Sequence, residues 1–134
     1  MKSITALILA SLLIPNMAYA LTLGGMEVKS KLNQRLQARI ELRVGKAGEL
    51  EDARAFLADQ STFDKAGIER PQILTSLEFE VVTNSDGSYI MVSSKEAIRN
   101  PQLNFIVEVA SPDVRIQREY TVLLRAAAAD LDRY

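Results

Sequence analysis

The sequence predicts a mainly β fold: a two-layer antiparallel β-sandwich of the Ig-like type, with a short helical insert at about residues 49–67. Two observations predict it. Apolar and polar residues alternate with a period of two in six segments, which is typical of strands with one buried face. Between residues 49 and 67 the apolar spacing changes to that of a helix. Residues 21–134 have the length of one domain and contain no internal repeat.

Residues 1–20 are expected to be a signal peptide that is cleaved after Ala20. Lys2 provides the positive charge, and Ile4–Ile14 form an apolar run of about eleven residues. The segment Ala18–Ala20 places small residues at the two positions that a signal peptidase reads. The apolar run is shorter than the ~20 residues needed to span a bilayer. We therefore expect export to the periplasm, with no membrane insertion after cleavage.

Composition disfavours several classes of function. The formal net charge is −1, and it becomes −2 without Lys2, so no basic stripe is available to bind nucleic acid or an anionic membrane. The chain has no cysteine and no histidine, which removes thiol chemistry and the usual general base and metal ligand. Glu78 and Glu80 are the nearest pair of carboxylates, but both fall on the polar side of one predicted strand. We expect no enzyme, cofactor or metal site, and a hydrolase is the least favoured reading.

The first two strands are predicted on either side of a turn at Leu32–Arg35. The first spans Met26–Lys31 and is the best candidate for an exposed sheet edge. The second has one apolar face and one charged face, as expected in an antiparallel sheet with a solvated side. Its apolar residues are Leu36, Ala38, Ile40, Leu42 and Val44.

The helical insert is predicted from spacing and from capping residues. Its first part, residues 49–60, places Leu50, Ala53, Phe56 and Leu57 at helical intervals. A second short turn of helix is expected where Ser61 serves as the N-terminal cap, and Gly67 offers a left-handed stop.

A first hairpin is predicted around Asp86-Gly87, a dipeptide that favours two-residue turns. This turn places Val81 opposite Val92 and Thr83 opposite Ile90, so apolar groups share one face.

A second hairpin is predicted around Ser111–Val114, where Pro112 suits a type I turn. Its apolar face pairs Val109 with Ile116, Phe105 with Tyr120, and Leu103 with Val122. Its polar face pairs Asn104 with Thr121 and Ile106 with Glu119. Arg118 falls on the apolar face, opposite Val107. Residues 126–134 are expected to form a flexible or helical tail, which leaves the domain at about residues 21–125.

The aromatic residues are too few to form a stacking platform for nucleic acid or carbohydrate. Five of them are expected in the core: Phe56, Phe63, Phe79, Phe105 and Tyr120. Outside the predicted signal peptide, only Tyr89 and Tyr134 are expected to be exposed.

Five segments in order carry a resemblance to a known family. They are VKSKLNQRLQARIEL (28–42), FDKAGIERP (63–71), LEFEVV (77–82), LNFIVEV (103–109) and REYTVLL (118–124). Together they resemble the N-terminal periplasmic domain of FimV-type proteins, which take part in type IV pilus assembly. The resemblance covers roughly Leu23–Leu124. The sequence departs from the family pattern at Arg35, where proline is usual, and at Arg125, where an acidic residue is usual.

The resemblance implies a protein-interaction module of the cell envelope, whose unidentified partners are pilus-assembly proteins such as a secretin complex. FimV-type chains usually continue into a LysM peptidoglycan-binding module, a membrane helix and a cytoplasmic repeat region. None of these is present in the 134 residues, so we expect cell-wall binding and inner-membrane signalling not to carry over. The alternative is an autonomous periplasmic β-sandwich that binds a small or envelope ligand without a pilus role.

Three residues are candidates for partner contacts, because strand packing alone does not explain them: Asn104, Glu108 and Arg118. Asn104 either pairs with Thr121 across the hairpin or meets a partner. The Arg118 guanidinium must find a carboxylate or a route to water. It either lies over the rim of the sandwich beside Glu80 or Glu119, or it marks a contact site. For Asn33, in the first turn, we favour a structural role in which its side chain bonds its own backbone.

Overall fold

A computed structural model describes residues 21–45, 50–112 and 114–126. The elements follow in chain order: β1 (Thr22–Val28), β2 (Arg35–Arg43), β3 (Arg54–Leu57), α1 (Gln60–Ala66), a 3-10 helix (Gln72–Ser76), β4 (Leu77–Asn84), β5 (Gly87–Ala97), β6 (Gln102–Ala110) and β7 (Arg115–Leu123). The predicted signal peptide lies outside the described residues, as does the predicted tail apart from Ala126.

The strands form two antiparallel sheets, which confirms the predicted β-sandwich. One sheet has the strand order β1-β2-β5-β4, and the other has the order β3-β6-β7. The edge strands of the two sheets lie beside each other, β1 next to β7 and β3 next to β4. The apolar core fills the space between the sheets. Its fully buried members include Leu36, Ile40, Ile90, Val92, Phe105, Val107, Val109 and Val122.

The first strand starts earlier than predicted, and the second buries fewer residues. β1 ends at Val28 and reaches back to Thr22, with a register irregularity between Leu23 and Met26. β2 buries alternate residues as predicted, but Val44 lies beyond the strand and is 39% exposed. In the turn between them, Asn33 adopts a positive φ of 68°, and its N–H donates to the Ile98 carbonyl. Asparagine tolerates this left-handed conformation well.

The helix predicted at residues 49–60 is wrong in the part that the structure describes. Residues Arg54–Leu57 form β3, which pairs antiparallel with β6. Ala55 and Leu57 are half-buried on one face, whereas Phe56 is 38% exposed and is not a core residue. A short apolar run fits both periods, and pairing with β6 decides in favour of the strand.

The second part of the predicted helical insert is confirmed as α1, although its cap differs. The Asp59 carboxylate, rather than the Ser61 hydroxyl, caps the helix by accepting from the Thr62 N–H at 2.9 Å. Ser61 Oγ also donates to this carboxylate. Gly67 ends the helix with φ 72°, as predicted. The cap matters for packing, because α1 carries the fully buried Phe63.

The first hairpin has the predicted strands but a register shifted by two residues. Val81 lies opposite Ile90 and Thr83 opposite Ser88, so the turn residues are Ser85-Asp86. The Asn84 side chain accepts from the Asp86 N–H at 3.0 Å, which favours a turn that starts at Asn84. Gly87 follows with a φ of 134°. A shift of two residues keeps every side chain on its predicted face, so the apolar pattern alone does not separate the two registers.

The second hairpin has the predicted register at every pair, from Leu103–Val122 to Val109–Ile116, and Arg118 lies opposite Val107. The predicted polar face is wrong for Ile106, which is 4% exposed, and for Glu108, which is 3% exposed. The physical reason is β3. Because β3 pairs with β6 on the edge opposite β7, β6 is the central strand of its sheet, and side chains of both neighbouring strands flank its outer face; Phe56 and Gln117 lie on either side of Glu108.

Candidate functional site

Arg118 connects the two sheets at the rim of the sandwich. From β7 its guanidinium Nη1 donates to the backbone carbonyls of Leu23 at 2.8 Å and Gly24 at 2.9 Å, both in β1. The Tyr120 hydroxyl donates to the same Gly24 carbonyl at 2.7 Å. These carbonyls lie at the register irregularity of β1, where the pairing with β2 is interrupted. The side chains of β7 thus supply hydrogen bonds at the point where β1 leaves its own sheet ladder.

The contact of Arg118 differs from the predicted one. Within the described residues its guanidinium forms no ion pair with Glu80 or Glu119. Backbone carbonyls take their place, and the guanidinium carbon lies 5.1 Å from the centroid of the Tyr120 ring. Burial raises the pKa of the Tyr120 hydroxyl above its ordinary value, and the nearby Arg118 charge opposes that rise.

Gly24 is the residue of β1 that this arrangement needs. A Cβ placed on Gly24 would lie 2.9 Å from the Glu41 Cβ on β2 and 2.9 Å from the Glu41 Oε2. Neighbouring Gly25 has nothing within 4 Å of the same position. The close approach of β1 to β2 therefore requires a residue without a side chain at position 24.

Glu108 is a buried carboxylate on the outer face of the three-stranded sheet. Its Oε1 accepts from the Gln117 side-chain amide at 2.7 Å, and its Oε2 lies 3.2 Å from the Arg115 guanidinium. The Arg115 contact is an ion pair without hydrogen-bond geometry, so Oε2 has no hydrogen-bond donor among the described residues. Phe56 lies opposite Glu108 on β3. The carboxylate is thus enclosed by the strands on both sides of it.

Asn104 pairs with Thr121 across the second hairpin, which is one of the two alternatives predicted for it. Its side-chain oxygen accepts from the Thr121 hydroxyl at 2.9 Å. Asn104 and Glu108 share the outer face of β6, four residues apart, whereas Arg118 lies on the core side of β7. The structure therefore does not bring the three predicted contact residues together at one site. That they contact a partner remains a prediction.

The outer face of the four-stranded sheet carries a feature that sequence reasoning missed. The Arg39 guanidinium of β2 stacks on the Tyr89 ring of β5, with its carbon 3.6 Å from the ring centroid. Tyr89 is consequently half-buried rather than exposed. Beside the pair lies a shallow cavity of about 370 Å³, lined in part by Gly25, Glu27 and Asp86. The sequence indicates part of this feature, because Arg39 and Tyr89 each fall on the polar face of an alternating strand.

The same sheet face also carries an ion pair along β2. Arg43 Nε donates to Glu41 Oε1 at 2.9 Å, and this contact lowers the pKa of Glu41 and raises that of Arg43. The described residues contain no cluster of acidic groups able to hold a metal ion. They also contain no helix of the length and apolarity needed to cross a membrane.

Comparison with known proteins decides the family. The family model described as the FimV N-terminal Ig-like domain matches residues 21–127. The chain belongs to the FimV N-terminal domain family. The match to this family spans both sheets and all seven described strands.

Two relatives of this FimV-family chain are proteins named Motility hub protein FimV, from Pseudomonas aeruginosa strains PAO1 and UCBPP-PA14. Each is 42% identical to it over 122 residues, which is 90% of this chain. The chain spans only 13% of the length of these relatives. No solved structure matches the chain.

Proposed function

We propose that this domain is a non-enzymatic protein-interaction module on the periplasmic side of the cell envelope, and that it serves type IV pilus or secretin assembly. The observation that carries the proposal is the 42% identity, over nearly the whole domain, to a protein named as a motility hub. A hub acts by binding other proteins. An Ig-like sandwich is well suited to that role, because such sandwiches present rigid sheet edges and faces.

The edge strand β1 supports one place for a partner strand to pair. β1 is an edge strand of its sheet, as predicted, but Arg118 and Tyr120 already occupy the carbonyls of Leu23 and Gly24. The second half of β1, from Met26 to Val28, has no such contact among the described side chains. A partner strand would pair there through main-chain hydrogen bonds, with side-chain pockets giving specificity.

The direct test is a pull-down from periplasmic extract of a piliated bacterium, with the tagged chain as bait. We expect specific recovery of pilus or secretin components, identified by mass spectrometry and displaced by excess untagged chain. An Ig-like domain of another family, carrying the same tag, is the control bait. Recovery of no pilus or secretin component above the control would contradict the proposal.

A further inference from the structure

The outer face of the β2-β5-β4 part of the sheet is divided by charge. Among the exposed side chains, β4 presents two acidic residues, Glu78 and Glu80. β2 presents Arg35 and Arg39, and its third arginine, Arg43, is paired with Glu41. β5 runs between these strands. One edge of the face is therefore acidic and the other is basic, with the central strand as the boundary.

Strand register places one residue of each kind in a single row across this face. Arg39 lies opposite Met91 on one side, and Glu80 lies opposite Met91 on the other. Met91 is 45% exposed, which makes it one of the few large apolar side chains at the surface. Adjacent strands are about 4.8 Å apart, so the Arg39 and Glu80 Cα atoms are separated by about 10 Å. Within the described residues neither side chain has an ion-pair partner.

We propose that this face binds a second copy of the same chain, with Met91 at the two-fold axis. The axis would lie midway between the facing four-stranded sheets of the two copies and run parallel to β5. It therefore places β4 of one copy over β2 of the other. In that arrangement Glu80 of each copy meets Arg39 of the other, and the two Met91 side chains meet at the centre. A two-fold interface must be self-complementary, and a face with one acidic and one basic side satisfies this condition.

The geometry of sheet packing permits these contacts. Sheets that pack face to face lie about 10 Å apart, a distance that an arginine and a glutamate side chain span together. Packed sheets are rotated by about 30° relative to each other. Arg39 and Glu80 are each only one strand from Met91, so this rotation displaces them little. The stacking of Arg39 on Tyr89 at 3.6 Å orients the guanidinium on the face before a partner arrives.

The size of the face predicts a weak dimer. Three strands at about 4.8 Å spacing, each with about eight residues at about 3.4 Å rise, give a flat footprint of roughly 400 Å² per copy. Stable interfaces typically bury about 800 Å² per partner. We therefore expect self-association in the micromolar range or weaker, and further weakening at high salt because the pairs lie near the surface.

The test uses charge reversal and mixing, read by analytical ultracentrifugation of the purified full chain across a concentration series. The wild-type chain should dimerise. Arg39→Glu and Glu80→Arg should each raise the apparent dissociation constant at least tenfold, because each variant places like charges opposite each other. An equimolar mixture of the two variants should restore dimers, since both cross-copy pairs are then of opposite charge. The double variant should dimerise as the wild type does.

Two control variants change charge on other surfaces. Glu119→Arg on β7 and Arg99→Glu after β5 alter exposed residues whose side chains have no hydrogen bond or ion pair among the described residues. Both should dimerise like the wild type. Recovery of dimers in the mixture also shows that each single variant is folded.

The proposal is overturned if the wild-type chain stays monomeric up to millimolar concentration. It is equally overturned if dimers form but neither charge reversal weakens them, or if the mixture stays monomeric when both singles are. The dimer face lies on the surface of the sheet, away from the β1 edge. The outcome of the dimerisation test therefore does not depend on whether the domain has the proposed pilus-related function.

Discussion

At the residue scale, three residues hold the first strand in place. Gly24 lets β1 approach Glu41 closely, and its carbonyl accepts from both Arg118 and Tyr120. The two donors come from β7 in the opposite sheet, so these bonds join the layers at the rim. The sequence alone does not explain why Arg118 falls on an apolar face. In the structure its guanidinium donates to backbone carbonyls that receive no hydrogen bond from the neighbouring strand of the sheet.

Replacing Gly24 should be far more harmful than replacing its neighbour. Gly24→Ala places a methyl group 2.9 Å from the Glu41 Cβ, so β1 must shift, and we expect a loss of about 1–3 kcal/mol in the free energy of unfolding. Gly25→Ala, which meets nothing within 4 Å, is the matched control and should change stability by less than about 0.5 kcal/mol. Chemical denaturation measures both. Equal effects of the two substitutions would contradict the close-approach argument.

Removing the Arg118 guanidinium should also destabilise the fold. Arg118→Ala deletes two hydrogen bonds from a charged donor to β1, and we expect a cost of about 1–2 kcal/mol by urea denaturation. Arg99→Ala is the control, because Arg99 is exposed and makes no hydrogen bond or ion pair among the described residues. A loss of partner binding by Arg118→Ala with unchanged stability would instead support the contact role that the sequence left open.

Removal of the Tyr120 hydroxyl tests the same junction by a different change. Tyr120→Phe leaves the ring in the core but deletes the bond to the Gly24 carbonyl, at an expected cost of about 0.5–1.5 kcal/mol. Because burial raises the pKa of Tyr120 above the unfolded value, the native chain gains stability from this group below about pH 10 and loses it as pH rises further. The difference between wild type and variant should shrink in alkaline denaturation. A difference that grows with pH would contradict this assignment.

At the element scale, the sequence predicts hairpins well where turn chemistry and alternation agree. The β6–β7 register follows from Pro112 and the apolar pattern, because a one-residue slip would place Phe105 against Glu119. The predicted β4–β5 register is wrong by two residues. The apolar pattern is the same in both registers, and the Asn84 side chain favours the observed turn.

The element that sequence reasoning misses is β3, and a second error follows from it. Read as a helix, the segment around Phe56 leaves the outer face of β6 open, which makes Glu108 appear solvated. As a strand it pairs with β6 and places Phe56 opposite Glu108, so the carboxylate is enclosed. The contact of Arg118 with β1 is likewise unpredictable from one sequence, because it depends on where β1 is irregular.

The cap of α1 provides a prediction with a pH dependence. Asp59→Ala removes the acceptor for the Thr62 N–H and should lower the melting temperature at pH 7 by about 3–6 °C. Ser61→Ala, the residue that the sequence favours as cap, should have a smaller effect.

The pH dependence of the cap follows from the same contacts. Bonds to the Thr62 N–H and hydroxyl lower the pKa of Asp59 below its ordinary value, so its stabilisation is present above that value and is lost as pH falls through the folded pKa. The difference between Asp59→Ala and wild type should therefore shrink as the pH falls below the ordinary aspartate pKa of 3.8. A difference that stays constant or grows as the pH falls would contradict the carboxylate cap.

At the scale of the whole molecule, the two sheets leave two kinds of surface for partners. The second half of β1, from Met26 to Val28, suits main-chain pairing with another protein. The charge-divided face of β2, β5 and β4 suits a second copy. Family membership links this fold to FimV, of which the chain spans a small part. We propose that this domain, by binding proteins, serves pilus-dependent motility.

The most direct measurement replaces the matching segment of Pseudomonas aeruginosa FimV with residues 21–126 of this chain and scores surface motility. A FimV lacking that segment is the negative control, and it should lose motility. We expect the chimera, at wild-type abundance, to move at a rate close to wild type, because the 42% identity extends over 122 residues, or 90% of this chain. A chimera that is no more motile than the deletion, or a deletion that moves normally, would contradict the account.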